Sequence, residues 1–408
     1  MKARYQYRFY PTNQQQKSLA QLFGCVRVVW NDALALCNYA NKLPGYNKLS
    51  ALLTQSKKTE ERAWLTDVSS VPLQQSLRQL DTAYKNFFNS LKGKRKGKKV
   101  SSPRFKKKSN QQSALFASTA FNISDETVYL AKIGGIKPIW SRGLPSIPSS
   151  VTVIKDCANR YFLSFVVDVQ PIQIDEASFG QGDSPQKCRA ENQSIGIDLG
   201  IKTFAVMSDG SKAESPSYKR LDRKVRSFQK KLARQQKSSN RRNKTRIQIA
   251  KLHNQIADTR KDFLHKLSTK IVSENQTIVL EDLNVSGMVK NRRLARAISL
   301  QGWREFRTLC EAKSEKFGRE FVAISRWEPT SQICSDCGFK WGKLDLSIRS
   351  VLCINCGTEQ DRDENAARNI NKVGTGHCHD SKRAQRQSKT TSVASVDEAL
   401  RITAPSGR

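Results

Sequence analysis

The stretch "SIGIDLGIKTFAVMSDG", residues 194–210, decides how this chain is read. Ile195, Ile197 and Leu199 recur with the period of two that marks one apolar edge of a strand. Residues Thr203 to Met207 give a second strand after a short turn, so the pair predicts a hairpin. Asp198 lies inside the first strand. An ionised carboxylate among buried apolar residues is costly unless it is paired. A protein keeps one there for a metal or a mechanism, or neutralises it with one of its arginines. Gly200 leaves room for the backbone to come close to a ligand.

Two more acids stand in similar places. Glu281 ends the buried strand "TIVLEDL", residues 277–283, and Asp363 lies in "CGTEQDRDENAARNI", residues 356–370, where a short helix begins. Each alone reads equally well as an ion pair. The order is more specific: a hairpin strand, a later strand, then a helix start. It matches the ribonuclease-H-like nuclease site, in which carboxylates collect two Mg²⁺ ions that activate water and stabilise the leaving oxygen of a phosphodiester. No serine–histidine or cysteine–histidine pair and no phosphate-binding glycine loop competes with this reading.

Cys334 and Cys337 form one C-x-x-C knuckle, and Cys353 and Cys356 form another fifteen residues later. This is the spacing of a zinc ribbon, with four thiolates completing a tetrahedron around one structural Zn²⁺ and no position open for water. Gly338 and Gly357 follow the knuckles, where the backbone must be permissive. Cys25, Cys37, Cys157, Cys188, Cys310 and Cys378 are scattered and read as small apolar residues or free thiols.

The chain has 71 Lys and Arg against 36 Asp and Glu, a net charge of +35. A fold does not need that imbalance; a polyanionic partner does. Residues 92–108, "KGKRKGKKVSSPRFKKK", hold ten basic residues and no acid, and form a loop that can clamp phosphates through Lys94, Arg95, Lys96, Lys98, Lys99, Arg104 and Lys106. Residues 219–246 add thirteen basic residues and one acid at the start of a long helix or a helix pair broken near Ser238–Asn240. Arg223, Lys224, Lys230, Lys231, Arg241 and Arg242 are the nucleic-acid candidates there. No apolar run of the length of a spanning helix is expected, nor a signal peptide, so a cytoplasmic protein without a membrane partner is expected.

Tyr5, Tyr7 and Phe9 alternate with polar residues in an N-terminal strand ending at Pro11, and Thr12 with Gln15 can form a capping box. Leu19, Leu22, Phe23, Val26 and Trp30 trace one helical stripe, and Leu73, Leu77, Leu80, Tyr84, Phe87 and Leu91 another. Residues 113–169 read as short strands of a small barrel, followed by a polar linker. Residues 292–318 read as helical, 319–325 as a strand, and the tail beyond about 373 as disordered.

The ordered series "GIDLGIKTFAV", "VLEDLNV", "SQICSDCG" and "DRDENAARNI" resembles the TnpB family of insertion-sequence nucleases, over roughly residues 4–372. That resemblance implies a multidomain α+β protein. A wedge-like β-barrel would take residues 1–11 and 112–172, and an inserted helical recognition domain 12–111. A linker at 173–193 would lead to a RuvC nuclease domain at 194–328 and 358–372, with the zinc ribbon at 329–357 and the tail at 373–408. It also implies a guide RNA from the end of the mobile element, one protein per RNA, and cleavage of double-stranded DNA beside a short flanking motif. Asp198, Glu281 and Asp363 match the three catalytic acids and Mg²⁺ ligands of the family. Asp361 competes with Asp363; by motif position it instead caps the helix or binds an arginine. A CRISPR-type effector with a separate guide, a nuclease-inactive repressor and a transposase are the alternatives.

Overall fold

The computed structural model describes residues 2–40, 43–95, 97, 99–169, 193–345 and 348–376. Lys96 and Lys98 of the basic loop, Cys188, Cys378, most of the 173–193 stretch and the tail from 377 lie outside the described residues. The chain divides into two compact units, Met1–Gln170 with Ser227–Leu252, and Pro171–Arg226 with His253–Arg408.

The first unit begins with β1 (Lys2–Phe9), α1 (Asn13–Tyr39), α2 (Tyr46–Ser56) and α3 (Ser70–Leu91). There follow β2 (Gln112–Ala117), β3 (Phe121–Ile123), β4 (Val128–Leu130), β5 (Gly134–Ile136), β6 (Ser150–Lys155) and β7 (Tyr161–Asp168). An antiparallel sheet runs β1-β7-β6-β2, and β3-β4-β5 form a second. Tyr7 lies opposite Leu163 and Phe9 opposite Tyr161, and all four are buried. The tight turn into β7 exists because the Asp156 carboxylate accepts the Ala158 and Arg160 N–H groups, while Asn159 takes a left-handed φ of 64°.

α1 starts on the expected box: Gln15 N–H donates to Thr12 Oγ1 at 3.3 Å and Thr12 N–H to Gln15 Oε1 at 3.0 Å. α1 and α3 run parallel, since Ser76 Oγ donates to the Val26 carbonyl and Tyr84 Oη to Asn38 Oδ1. Their stripes share one apolar core with the sheets. The α3 stripe leaves that core at its last turn, where Leu91 is exposed instead of packed. The expectation that no stretch reaches membrane-spanning length and hydropathy is also corrected. One 18-residue window in α1 has a mean hydropathy of 1.2, enough by length and composition, and half of it is buried inside the protein.

The second half of the chain adds β8 (Ser194–Leu199), β9 (Ala205–Met207), β10 (Lys212–Ala213), α4 (Lys219–Ala233), α5 (Asn240–Glu274) and β11 (Thr277–Glu281). It continues with α6 (Val285–Met288), α7 (Ala295–Gln301), α8 (Trp303–Lys316), β12 (Glu320–Ile324), β13 (Ser350–Leu352), β14 (Glu359–Asp361) and α9 (Arg362–Gly374). The basic helix is a pair, broken between 233 and 240 as the sequence suggested. The single helical stretch expected at 292–318 is divided into α7 and α8 at Gly302, which has a φ of 76°.

A five-stranded sheet runs β10-β9-β8-β11-β12, with β8, β11 and β12 parallel. Strand alternation sorts its two faces. Ile195, Ile197, Ile278 and Leu280 pack with Leu264 and Ile271 of α5 and with Trp303 and Phe306 of α8. On the other face Val279 and Ile324 pack against Ile370 of α9. α9 lies so close to β8 that a Cβ on Gly196 would sit 2.2 Å from the Ala367 carbonyl oxygen and 2.5 Å from the Asn371 nitrogen. Backbone cannot yield as a side chain can. Gly196→Ala is expected to cost about 3 kcal/mol of stability, read by thermal or denaturant unfolding. Gly143→Ala, where a Cβ meets nothing within 4 Å, should stay within about 0.5 kcal/mol. Equal effects would refute the close approach.

Candidate active site and metal centre

Asp198 and Glu281 share the face of the sheet that α9 covers. Ile197 pairs with Leu280, so the next position on each parallel strand brings Asp198 beside Glu281 at the carboxyl ends of β8 and β11. This is the edge where open α/β sheets bind their ligands. Asp198 is half-buried, and desolvation, with Asp363 and Glu281 nearby, pushes its carboxyl up to about 7 against the pull of Arg362 and the Leu199 N–H. Burial also raises Glu281, with Asp282 adding to it and Arg326 opposing. Asp282 itself is held below its usual range by the Arg326 and Arg307 guanidiniums.

The third acid arrives with α9. Asp361 is the N-cap of that helix: its Oδ1 accepts the Asp363 N–H at 2.8 Å and the Glu364 N–H at 3.2 Å. Its other oxygen accepts from Lys212 Nζ at 3.1 Å, a lysine where the sequence suggested an arginine. Despite the upward push of burial, these N–H groups and Lys212 hold Asp361 below the usual carboxylate range. Asp363 is thereby left to face Asp198, and Arg349 Nη1 donates to its Oδ2 at 2.9 Å. Asp363 and Glu281 each act on the half-buried Asp198 as like charges, and carboxylate oxygens of this kind suit hard divalent cations.

The cysteines gather as well. The four Sγ atoms lie within 4.8 Å of one another, with Cys334–Cys356 at 3.8 Å and Cys337–Cys353 at 3.5 Å. A tetrahedron with Zn–S bonds of about 2.3 Å has edges of roughly 3.8 Å, so the donors fit zinc. Each knuckle closes with a glycine N–H on the first cysteine's carbonyl: Gly338 to Cys334 at 3.0 Å and Gly357 to Cys353 at 2.8 Å, both glycines having positive φ. Cys25, Cys37 and Cys310 are buried apart from this cluster, and burial pushes Cys310 up to about 12.

The knuckles are tied to α9. Buried Asn365 accepts the Ser335 N–H at 2.7 Å and donates to the Ile333 carbonyl at 2.9 Å. Asn369 Nδ2 donates to the carbonyls of Thr330 and Ile333. β13 and β14 form the hairpin that carries the second knuckle straight into α9.

Comparison with known proteins places this chain in a family. Family profiles match at residues 164–292 ("Probable transposase"), 303–370 ("Cas12f1-like, TNB domain") and 1–42 ("Helix-turn-helix domain"). A protein of Streptomyces pristinaespiralis, named "Putative RNA-guided DNA endonuclease", is 42% identical over 99% of this chain and 98% of its own length. A protein of the same description from Escherichia coli (strain K12) is 30% identical over 91% of this chain and 92% of its own. The chain belongs to the TnpB family. TnpB-like proteins of Acanthamoeba polyphaga mimivirus match at 27% identity over 57% of the chain. A solved Cas12f1–sgRNA–target DNA complex superposes with a TM-score of 0.46 at 15% identity, over 88% of this chain and 83% of that one, a score below that at which folds are equated.

The basic candidates of this TnpB-family chain fall into two groups. Lys94, Arg95, Lys99 and Arg104 are exposed in the loop after α3, and Arg223, Lys224, Lys230, Lys231 and Arg241 are exposed on α4 and α5. Two others are engaged within the protein. Lys106 lies 3.9 Å from the centroid of the Trp30 ring, and burial lowers its ammonium to about 8. Arg242 donates to the carbonyls of Leu232 and Gln235 and so closes the α4–α5 connection. The sequence did not single out Asp282, Arg307, Arg326, Arg349, Asn365 or Asn369. Their partners lie 14 to 44 residues away along the chain, where no local pattern could show them.

Asp198 titrates near 7 in the folded chain, against 3.8 as its ordinary value. Between those values the folded state holds a proton that the unfolded state has released, so stability falls as pH rises through the window. Asp198→Asn removes that penalty. Without added divalent metal, it should raise the melting temperature more at pH 8 than at pH 5. A fall at pH 8, or no difference between the two, contradicts the assignment.

Proposed function

We propose that this protein is an RNA-guided DNA endonuclease of a transposable element, and that it cuts double-stranded DNA next to a short flanking motif. The observation that carries the reading is the meeting of Asp198, Glu281 and Asp363 at the carboxyl edge of β8 and β11. Family membership and the excess of basic residues support it. Residues 194–328 and 358–372 then act as a RuvC-type nuclease domain, and 329–357 as a zinc ribbon holding one structural Zn²⁺ through Cys334, Cys337, Cys353 and Cys356. Residues 1–11 and 112–172 act as the wedge, and residues 12–111 as the recognition domain.

Two Mg²⁺ ions held by Asp198, Glu281 and Asp363 would supply activation of the attacking water and stabilisation of the leaving oxygen, giving 5′-phosphate and 3′-hydroxyl ends. The chain's own part is placement. β8 and β11 fix two carboxylates in register. Asp361 caps α9 so that Asp363 is presented to them. The ribbon sets where α9 begins. The exposed cations of the 92–108 loop and of α4 and α5 hold the phosphates of guide RNA and heteroduplex, one chain per RNA. The guide reads sequence by pairing, and the protein reads only the flanking motif.

Asp198→Ala and Asp363→Ala should each lower guided cleavage in Mg²⁺ by at least about a thousandfold while the co-purifying RNA is retained. Asp361→Ala, which removes a cap, should cost about 1 kcal/mol of stability and leave measurable cutting. Guided cleavage by the Asp198→Ala protein, or a dead Asp361→Ala beside an active Asp363→Ala, overturns the assignment.

A further inference from the structure

β11 ends at Glu281, and the next residue, Asp282, uses both of its oxygens on arginines. Arg307 Nη1 of α8 donates to Oδ1, and Arg326 Nη2 from the segment after β12 donates to Oδ2. One negative charge therefore holds two positive ones side by side. Each guanidinium has five N–H donors, so most remain free to bind something else.

The pair lines a cavity of about 370 Å³ that also includes Glu281. Leu280 and Trp303 give it an apolar lining, Asn284 an amide, and Arg304 a third guanidinium; Glu311 adds one further acid. Arg304 is exposed and has no carboxylate partner among the described residues. Trp303 is 3% exposed and its indole N–H is buried away from solvent, so the residue gives the cavity an apolar wall and the free donors are those of the guanidiniums. Immediately after Arg326, Trp327 is 86% exposed. An apolar lining, an arginine fork, spare donors and an open indole together suit a nucleotide. Guanidiniums take a phosphate bidentately, and an exposed indole stacks on a base. They suit a single strand better than a duplex, whose bases are already stacked.

We propose that this cavity binds one nucleotide of a single DNA strand beside the scissile bond, with its phosphate on Arg307 and Arg326 and its base against Trp327. Asp282 is the positioning residue that holds the two guanidiniums. The proposal rests on the nuclease reading above and assigns that site its substrate contacts. A purely structural role, tying α8 to the end of β12, predicts different results.

The test is single-turnover cleavage of a saturating guided duplex by the full chain with its RNA, measured from low to high salt. Asp282→Asn and Arg326→Gln should slow cutting about tenfold and reduce its salt dependence, because a single-strand phosphate contact contributes about 0.7 to the log–log slope. Affinity for the guided target and the melting temperature should change little. Arg326→Lys should restore the slope but only part of the rate, since lysine lacks the fork. Trp327→Ala, at an exposed position, should slow cutting with an unaltered slope. Unchanged rates and slopes in all four variants overturn the proposal. So does a loss of melting temperature and target affinity that parallels the loss of rate, which marks a structural clamp. A wild-type complex that binds its target without cutting overturns the nuclease reading instead. The cavity is then tested by binding of a fluorescent single-stranded tetranucleotide, which the same variants should weaken about tenfold, and equal binding by wild type and variants overturns the proposal.

Discussion

The close approach of α9 to β8 at Gly196 is the contact on which the rest of the site depends. A side chain at 196 would have to occupy the positions of the Ala367 carbonyl and the Asn371 amide. With glycine there, the helix lies against the strand, Ile370 reaches Val279 and Ile324, and the start of the helix is delivered to the carboxyl end of β8. Asp363 comes from a segment 165 residues beyond Asp198 in the chain, and this contact turns that separation into proximity. The same alternation that faces Gly196 to the helix faces Asp198 to it, so packing and chemistry are set by one register.

Asp363 and Glu281 both repel Asp198, and other interactions of the fold keep them near it. Asp361 stays charged because N–H groups and Lys212 stabilise it, whereas Asp198 is pushed up because desolvation and its neighbours oppose ionisation. The two aspartates of "DRD" therefore have opposite work: one stabilises a helix terminus, the other adds to an electrostatic deficit that a cation can relieve. The four cysteines, Asn365 and Asn369 hold the entry to α9, and the asparagine hydrogen bonds to carbonyls and an amide at the first knuckle tie the cysteine knuckles to that helix. In the proposed function, acids at this point of a basic chain would not repel the polyanion once they carried metal.

Much of this was legible in the sequence because it rests on local pattern. Alternation revealed β1 and β8, and an apolar run revealed β11; helical stripes revealed α1 and α3; cysteine spacing revealed the knuckles. Asp198 and Glu281 stood out as carboxylates in apolar runs. The choice between Asp361 and Asp363 was not legible from residues alone, because both stand at the start of the same helix; cap geometry distinguishes them, Asp361 being the N-cap and Asp363 lying in the first turn. Lys106 and Arg242 looked like their exposed neighbours, and only the folded chain shows one against Trp30 and the other on the Leu232 and Gln235 carbonyls. The Asp282–Arg307–Arg326 cluster was invisible for the same reason: it joins residues 25 and 44 positions apart. The membrane-length apolar window of α1 escaped notice because polar residues interrupt it, among them the half-buried Arg27, which donates to Gln112 of β2.

The most direct measurement is anomalous scattering from the protein crystallised with Mn²⁺ in place of Mg²⁺. The account predicts manganese peaks contacted by Asp198, Glu281 and Asp363, with Asp361 still on the amides of α9, and a separate zinc peak among Cys334, Cys337, Cys353 and Cys356. Manganese bound by Asp361 or Asp282 in place of that trio, or no manganese at the ends of β8 and β11, would contradict it.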